Sequence, residues 1–127
     1  MLEELLTSQG RQLLWTDPEL GWVNAPNYSS DLHSTNSRGL RGTREYAPQP
    51  AAGVVRVAAF GDSFVFANEV SDEDAWSLQA ERMEPRLEVL NYGVGGYGTD
   101  QALLLYRRRG QELAPRLVEM PRARGLL

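Results

Sequence analysis

The pattern of apolar and polar positions changes character near residue 54. Before it, apolar residues are scattered without a sustained strand-like or helix-like period. Turn formers interrupt them at Asp17-Pro18, Asn24-Ala25-Pro26-Asn27, Asn36-Ser37-Arg38-Gly39, Pro48 and Pro50, which reads as loops and short irregular pieces. Only Leu2 to Leu14, with Leu2, Leu5, Leu6, Leu13 and Leu14 partly in phase, fits a short amphipathic helix. From Val54 the pattern becomes regular. Val54 to Phe60 is a short, nearly continuous apolar run closed by Gly61, as expected of a strand buried on both faces of a parallel sheet. Ser71, followed three residues later by Asp74, resembles a capping box and predicts a helix start. Ala75, Trp76, Ala80 and Met83 supply its core face and Pro85 stops it. Leu87 to Tyr92 predicts a second strand, and Thr99 caps a second helix with Ala102, Leu103, Tyr106 and Leu113 in phase. Leu117-Val118 begins a third strand. The chain therefore divides into an irregular lead-in, 1–53, and an α/β unit, 54–127, without internal repeats.

The order β-α-β-α-β predicts a parallel sheet with helical crossovers. In such sheets ligands sit beyond the carboxyl ends of the strands. Both glycine-rich segments, at Gly61 and at Gly93 to Gly98, fall there.

Composition narrows the chemistry. At 127 residues, with 42% apolar and 24% charged, the chain fits one globular domain. No apolar run approaches the roughly 18 residues that would mark a membrane-spanning helix. Glu3 and Glu4 among the first leucines do not resemble a secretory leader. The cytoplasm is then the default compartment, an exported longer form is compatible, and the oligomeric state stays open. The absence of cysteine removes disulfides, thiolate zinc sites and cysteine nucleophiles. A net charge of −4 argues against a nucleic-acid partner. All thirteen basic residues are arginine, which excludes Schiff-base lysines and a Walker A lysine. The one histidine, His33, lies in a loop-like stretch with no motif around it and reads as a polar loop residue. Arg107-Arg108-Arg109 reads as a solvated helix face.

Two motifs carry chemistry. In Phe60-Gly61-Asp62-Ser63-Phe64, a serine leaves the end of a buried strand on a rigid support. Gly61 permits a sharp turn, and the Ser63 N–H is free to face a developing oxyanion. The plain alternative is a turn, which all three central residues favour. In Asn91-Tyr92-Gly93-Val94-Gly95-Gly96-Tyr97-Gly98-Thr99, the bare Gly93-x-Gly95-x-x-Gly98 spacing matches a dinucleotide fingerprint. It follows the second strand rather than the first, however, and only Glu119 is placed for the ribose-binding acid. An oxyanion loop, with Gly95 and Gly96 admitting a substrate carbonyl to the backbone, is the competing reading. A flexible glycine turn is the third.

Together the two motifs resemble the first two blocks of the GDSL/SGNH hydrolases. The resemblance implies a flavodoxin-like three-layer α/β/α sandwich with a parallel sheet. It implies Ser63 as nucleophile and oxyanion donor, Gly96 as second oxyanion donor, and Gly61, Asp62 and Asn91 in support. The implied reaction is hydrolysis or transfer of an acyl ester through an acyl-enzyme, with neither metal nor cofactor, on a small-molecule, carbohydrate or lipid ester. Asp17 to Trp22 and Asn36 to Gly42 also resemble the lead-in of a bacterial subgroup. Two family blocks have no counterpart here: Gly-x-Asn-Asp after the third strand, and the Asp-x-x-His that supplies the base. After Val118 the chain continues with Glu119, Met120, Pro121 and a cluster of arginines, which cannot extend a central strand. The expectation is a sequence truncated or frame-shifted after about residue 118. It would have little activity and an unpaired sheet edge that weakens it. A nucleotide-binding module and a non-catalytic remnant are the alternatives.

Overall fold

The structure, a computed structural model, describes residues 12–120. Strands β1 (Leu14–Asp17) and β2 (Gly21–Asn24) form an antiparallel hairpin, with Leu14 opposite Asn24 and Asp17 opposite Gly21. The turn-rich reading of the lead-in does not anticipate this hairpin. Most of the helix expected over Leu2–Leu14 lies outside the described residues, and Leu14, its last residue, opens β1 instead.

Three parallel strands follow: β3 (Val55–Ala59), β4 (Leu87–Asn91) and β5 (Leu117–Glu119), in the spatial order β4-β3-β5. Val55 is in register with Leu87 and Ala59 with Asn91, while Val57 is in register with Leu117. Between them come α1 (Ser63–Phe66), a 3₁₀ turn at Asp72–Asp74, α2 (Trp76–Met83) and α3 (Thr99–Arg109). The fold is thus mixed α/β around a parallel sheet. Among the described residues no helix is long and apolar enough to cross a membrane.

The core is built on the sheet. Phe60 stacks on Tyr92 at 4.5 Å, and Tyr106 meets Phe60 edge-on. Leu90, Ala102, Leu105 and Leu113 surround them, and Leu20 and Leu40 of the lead-in enter the same cluster. Burying side chains of this size stabilises by about 1.5–3 kcal/mol each.

Several local expectations shift. Ser71 does not cap a helix: Asp72–Asp74 forms a separate 3₁₀ turn, Ala75 is extended, and α2 starts at Trp76. The Asp72 carboxylate is engaged across the fold by Ser34 and Arg41. The later start turns Trp76 and Met83 outward, at 41% and 85% exposure, and buries Ala75 and Ser77. In α3 Gly98 is the N-cap and Thr99 the first helical residue, with the Gly98 N–H donating to Gln101 Oε1 at 2.8 Å. Its inward face is Ala102 and Leu105; Leu103 points to solvent. Two of the three consecutive arginines are engaged. Arg108 pairs with Asp17 at 2.8 Å and Glu19 at 2.9 Å, fastening the hairpin to α3, and Arg109 pairs with Glu112. Arg108 holds the Asp17 carboxyl well below the usual carboxylate range.

The outer edge of β4 is not bare. Glu81 accepts from the Val89 N–H at 2.8 Å, Tyr46 donates to the Val89 carbonyl, and the Arg41 N–H donates to the Asn91 carbonyl. Covering an edge with side chains and crossing loops is a standard protection against strand addition.

The apolar run of β3 contains one charge, and it is buried. Arg56 is 1% exposed; it pairs with Glu88 at 2.9 Å and donates to the carbonyls of Ala47 and Leu113, both at 2.7 Å. Removing one partner of such a pair leaves the rest unsatisfied, so Arg56→Met should destabilise by about 3–5 kcal/mol in urea unfolding. A loss under about 1 kcal/mol would mean these contacts contribute little against their desolvation.

Candidate active site

The site grows from the carboxyl ends of β3 and β4. Beyond β3, the Phe60 N–H donates to the Glu119 carbonyl, and the Gly61 carbonyl accepts from the Val94 N–H at 3.0 Å. Gly61 does not adopt a positive φ. Its carbonyl ties the two turns together. Asp62 is the N-cap of α1: its side chain accepts from the Phe64 N–H at 2.9 Å, the usual task of an aspartate in that position. Ser63 is the first helical residue and half-buried. Among the described residues, neither its N–H nor its hydroxyl has a partner within the protein.

On the β4 side, Asn91 is fully buried. Its Oδ1 accepts from the Gly93 N–H at 2.9 Å, and its Nδ2 donates to the Val65 carbonyl at 2.8 Å and to Ser77 Oγ at 3.1 Å. One side chain therefore binds the glycine loop to the turn that carries Ser63. The two pack backbone against backbone: a Cβ on Gly93 would lie 2.4 Å from the Phe66 nitrogen.

The lead-in holds the glycine loop from the other side. Trp22 Nε1 donates to the Gly95 carbonyl at 2.8 Å, and Asn24 Nδ2 donates to the Gly93 carbonyl at 2.8 Å. Gly96 has φ 83, a conformation that favours glycine, and it sits against the Trp22 ring. Burial pushes the Tyr97 phenol up to about 12, which keeps it a donor, to the Trp22 carbonyl at 2.6 Å.

Ser63 and Gly96 line the same cleft of about 640 Å³, with Gly95, Asn68, Tyr28 and Leu14 among its other walls and, among the described residues, no charged side chain. A second cleft of about 220 Å³, walled by Phe64, Ala67, Glu69 and Val70, also reaches Ser63. Ser63 therefore stands on the ridge between that cleft and a smaller one bearing a carboxylate. Among the described residues, the Gly95 and Gly96 N–H groups also lack protein acceptors.

His33 is near this turn but not available in the ordinary way. Its Nε2 lies 2.5 Å from the Asn68 carbonyl, and its ring meets Phe66 edge-on at 5.4 Å. A carbonyl oxygen only accepts, so Nε2 carries the proton and is not a free base. Trp22, Asn24, Tyr28 and Asn68 are site residues that sequence reasoning left without a role. Their contacts with the motifs join segments far apart in the chain. Among the described residues no cluster of His, Cys, Asp or Glu is placed to hold a metal ion.

Two outcomes follow from this packing. Gly93→Ala should cost about 3 kcal/mol, the upper range for overpacking, while Gly95→Ala, whose Cβ finds only Asn68 Oδ1 at 3.5 Å, should cost under about 1 kcal/mol. Equal costs in chemical denaturation would contradict the backbone contact. The second outcome concerns Asp72. Burial alone would raise its carboxyl, but hydrogen bonds from Ser34 and Arg41 outweigh that and hold it below the usual range. Its contribution is then complete above its unfolded value of about 3.9 and lost as pH falls through the lower folded value. The stability gap between wild type and Asp72→Asn should be full at neutral pH and narrow below about pH 4. A gap that widens in acid would reverse the sign. No family model matches the chain, and a search of the curated proteins finds no match.

Proposed function

We propose that Ser63 is the nucleophile of an acyl-transfer site of the SGNH/GDSL type, set in the flavodoxin-like sandwich of that family. The observation that carries this reading is the shared cleft: a serine hydroxyl and the N–H groups of Ser63 and Gly96, all without a protein partner among the described residues, border one space. Ser63 Oγ attacks the ester carbonyl, its proton passes to a base, and the carbonyl oxygen becomes an anion held by those two N–H groups. Collapse expels the alcohol and leaves an acyl-enzyme, which water or a second alcohol resolves. A cleft whose described walls carry no charge suits a neutral small-molecule, carbohydrate or lipid ester. Asp62 caps its helix and His33 holds Asn68, and among the described residues neither hydrogen-bonds Ser63 Oγ, so the base is assigned to neither. With no base assigned, a nucleophile beside two oxyanion donors is expected, with low turnover.

The nucleotide reading has less support. Gln101 already takes the Gly98 N–H, and Asp100 stands in the first turn of α3. A carboxylate there repels a pyrophosphate that the helix N-terminus would otherwise attract.

A base supplied from solution tests the proposal. Fluorophosphonate labelling of Ser63 should be negligible in buffer and rise at least tenfold with imidazole, short of the about 10²–10⁴-fold a positioned base supplies. It should vanish in Ser63→Ala and persist in His33→Gln, which keeps an N–H donor for Asn68. Equal labelling in Ser63→Ala would end the nucleophile reading, as would complete indifference to imidazole. Saturable micromolar binding of NAD, FAD or ATP by calorimetry would favour the nucleotide module instead.

A further inference from the structure

Arg41 has a fully buried side chain, 0% exposed, although it belongs to the loop-rich lead-in. Its guanidinium faces the carboxyl end of α1. Nε donates to Asp72 Oδ1 at 2.8 Å, Nη1 to the carbonyls of Phe66 and of Ala67, the latter at 2.9 Å, and Nη2 to the Val70 carbonyl at 2.8 Å. The group also lies over the Phe66 ring, 4.7 Å from its centroid. Its backbone N–H donates to the Asn91 carbonyl at 3.1 Å. Arg41 thus touches both halves of the site, the end of β4 and the turn after Ser63.

The turn needs such a partner. α1 has four residues, too few for a helix to sustain itself; Ser63 O and Phe64 O take the amides that follow, but among the described residues the Val65 and Phe66 carbonyls have no backbone donor. Ala67 closes it in the left-handed region at φ 65, a strained conformation for a residue with a Cβ. The Ser63 carbonyl accepts from the Asn68 N–H at 3.0 Å, inside the segment that Arg41 grips. Only a guanidinium offers five donors in a planar fan that reaches three carbonyls and a carboxylate at once; an ammonium is a single point with three.

We infer that Arg41 is a positioning residue for Ser63: its guanidinium fan sets the orientation of α1 and hence of the nucleophile. The inference rests on the proposed role of Ser63. A misplacement of about 1 Å at a reacting group costs on the order of 10²-fold in rate, so loosening this turn is felt in chemistry before it is felt in binding.

The test uses Arg41→Lys, which keeps the charge, beside Arg41→Ala with and without guanidinium ion. Backbone hydrogen exchange read by NMR, with Arg56→Met as a destabilised comparison whose contacts lie away from the turn, reports the turn directly. Protection should fall at Phe66, Ala67 and Asn68 in Arg41→Lys while the β3 and β4 amides keep theirs. Imidazole-dependent labelling should drop at least tenfold in its maximal rate, with half-saturating probe concentration unchanged, and guanidinium should recover part of it in Arg41→Ala. Unchanged exchange at the turn would overturn the clamp. Loosened exchange with wild-type labelling would overturn the positioning role. A wild-type chain that never labels would instead sink the reading of Ser63, and the exchange pattern would still decide the clamp.

Discussion

A four-residue helix cannot satisfy its own carbonyl groups, and the whole carboxyl end of the sheet is arranged around that shortage. Within the helix, Val65 O receives Asn91 Nδ2 and Trp76 Nε1, and Phe66 O receives Arg41; in the turn that follows it, Ala67 O and Val70 O also receive Arg41, and Asn68 O receives His33. The donors come from the lead-in, from β4 and from α2. Each is therefore held in place by the same turn it serves. Trp76 adds a second donor to Val65 O while its ring stays partly exposed.

The lead-in is consequently structural in two separate ways. It inserts Leu20 and Leu40 into the core over the sheet, and it walls the glycine loop with Trp22 and Asn24. The hairpin that carries Trp22 is kept in position at the other end by Arg108 on α3. A change on the surface of α3 is thereby linked to the backbone of Gly95 through one strand and one indole. Asn24 Oδ1 is the exception to this economy, a buried acceptor with no hydrogen-bond partner among the described residues.

The strands and their parallel order were legible because their signals are local: short apolar runs ended by glycine, separated by helix-length polar segments. The placement of Ser63 and Gly96 at one sheet end was legible for the same reason, since topology puts every β-α turn there. What stayed hidden depends on distant pairing. Arg56 reads as a flaw in an apolar run until Glu88, Ala47 and Leu113 converge on it. Asp72 reads as part of a helix cap until Ser34 and Arg41 claim its carboxylate, which delays α2 to Trp76. The β1–β2 hairpin escapes because its strands have four residues each, too short for alternation to rise above the turn formers around them. No periodicity reports a loop arginine that ends fully buried.

The cover over β4 has a consequence for how molecules of this chain meet. With the Val89 N–H taken by Glu81 and the Val89 and Asn91 carbonyls taken by Tyr46 and Arg41, that border offers little to a visiting strand. Among the described residues, β5 is the sheet's other border, and no strand lies beyond it. A sheet whose border is already occupied cannot lengthen on that side, so the β4 flank resists the edge-to-edge addition that bare strands invite.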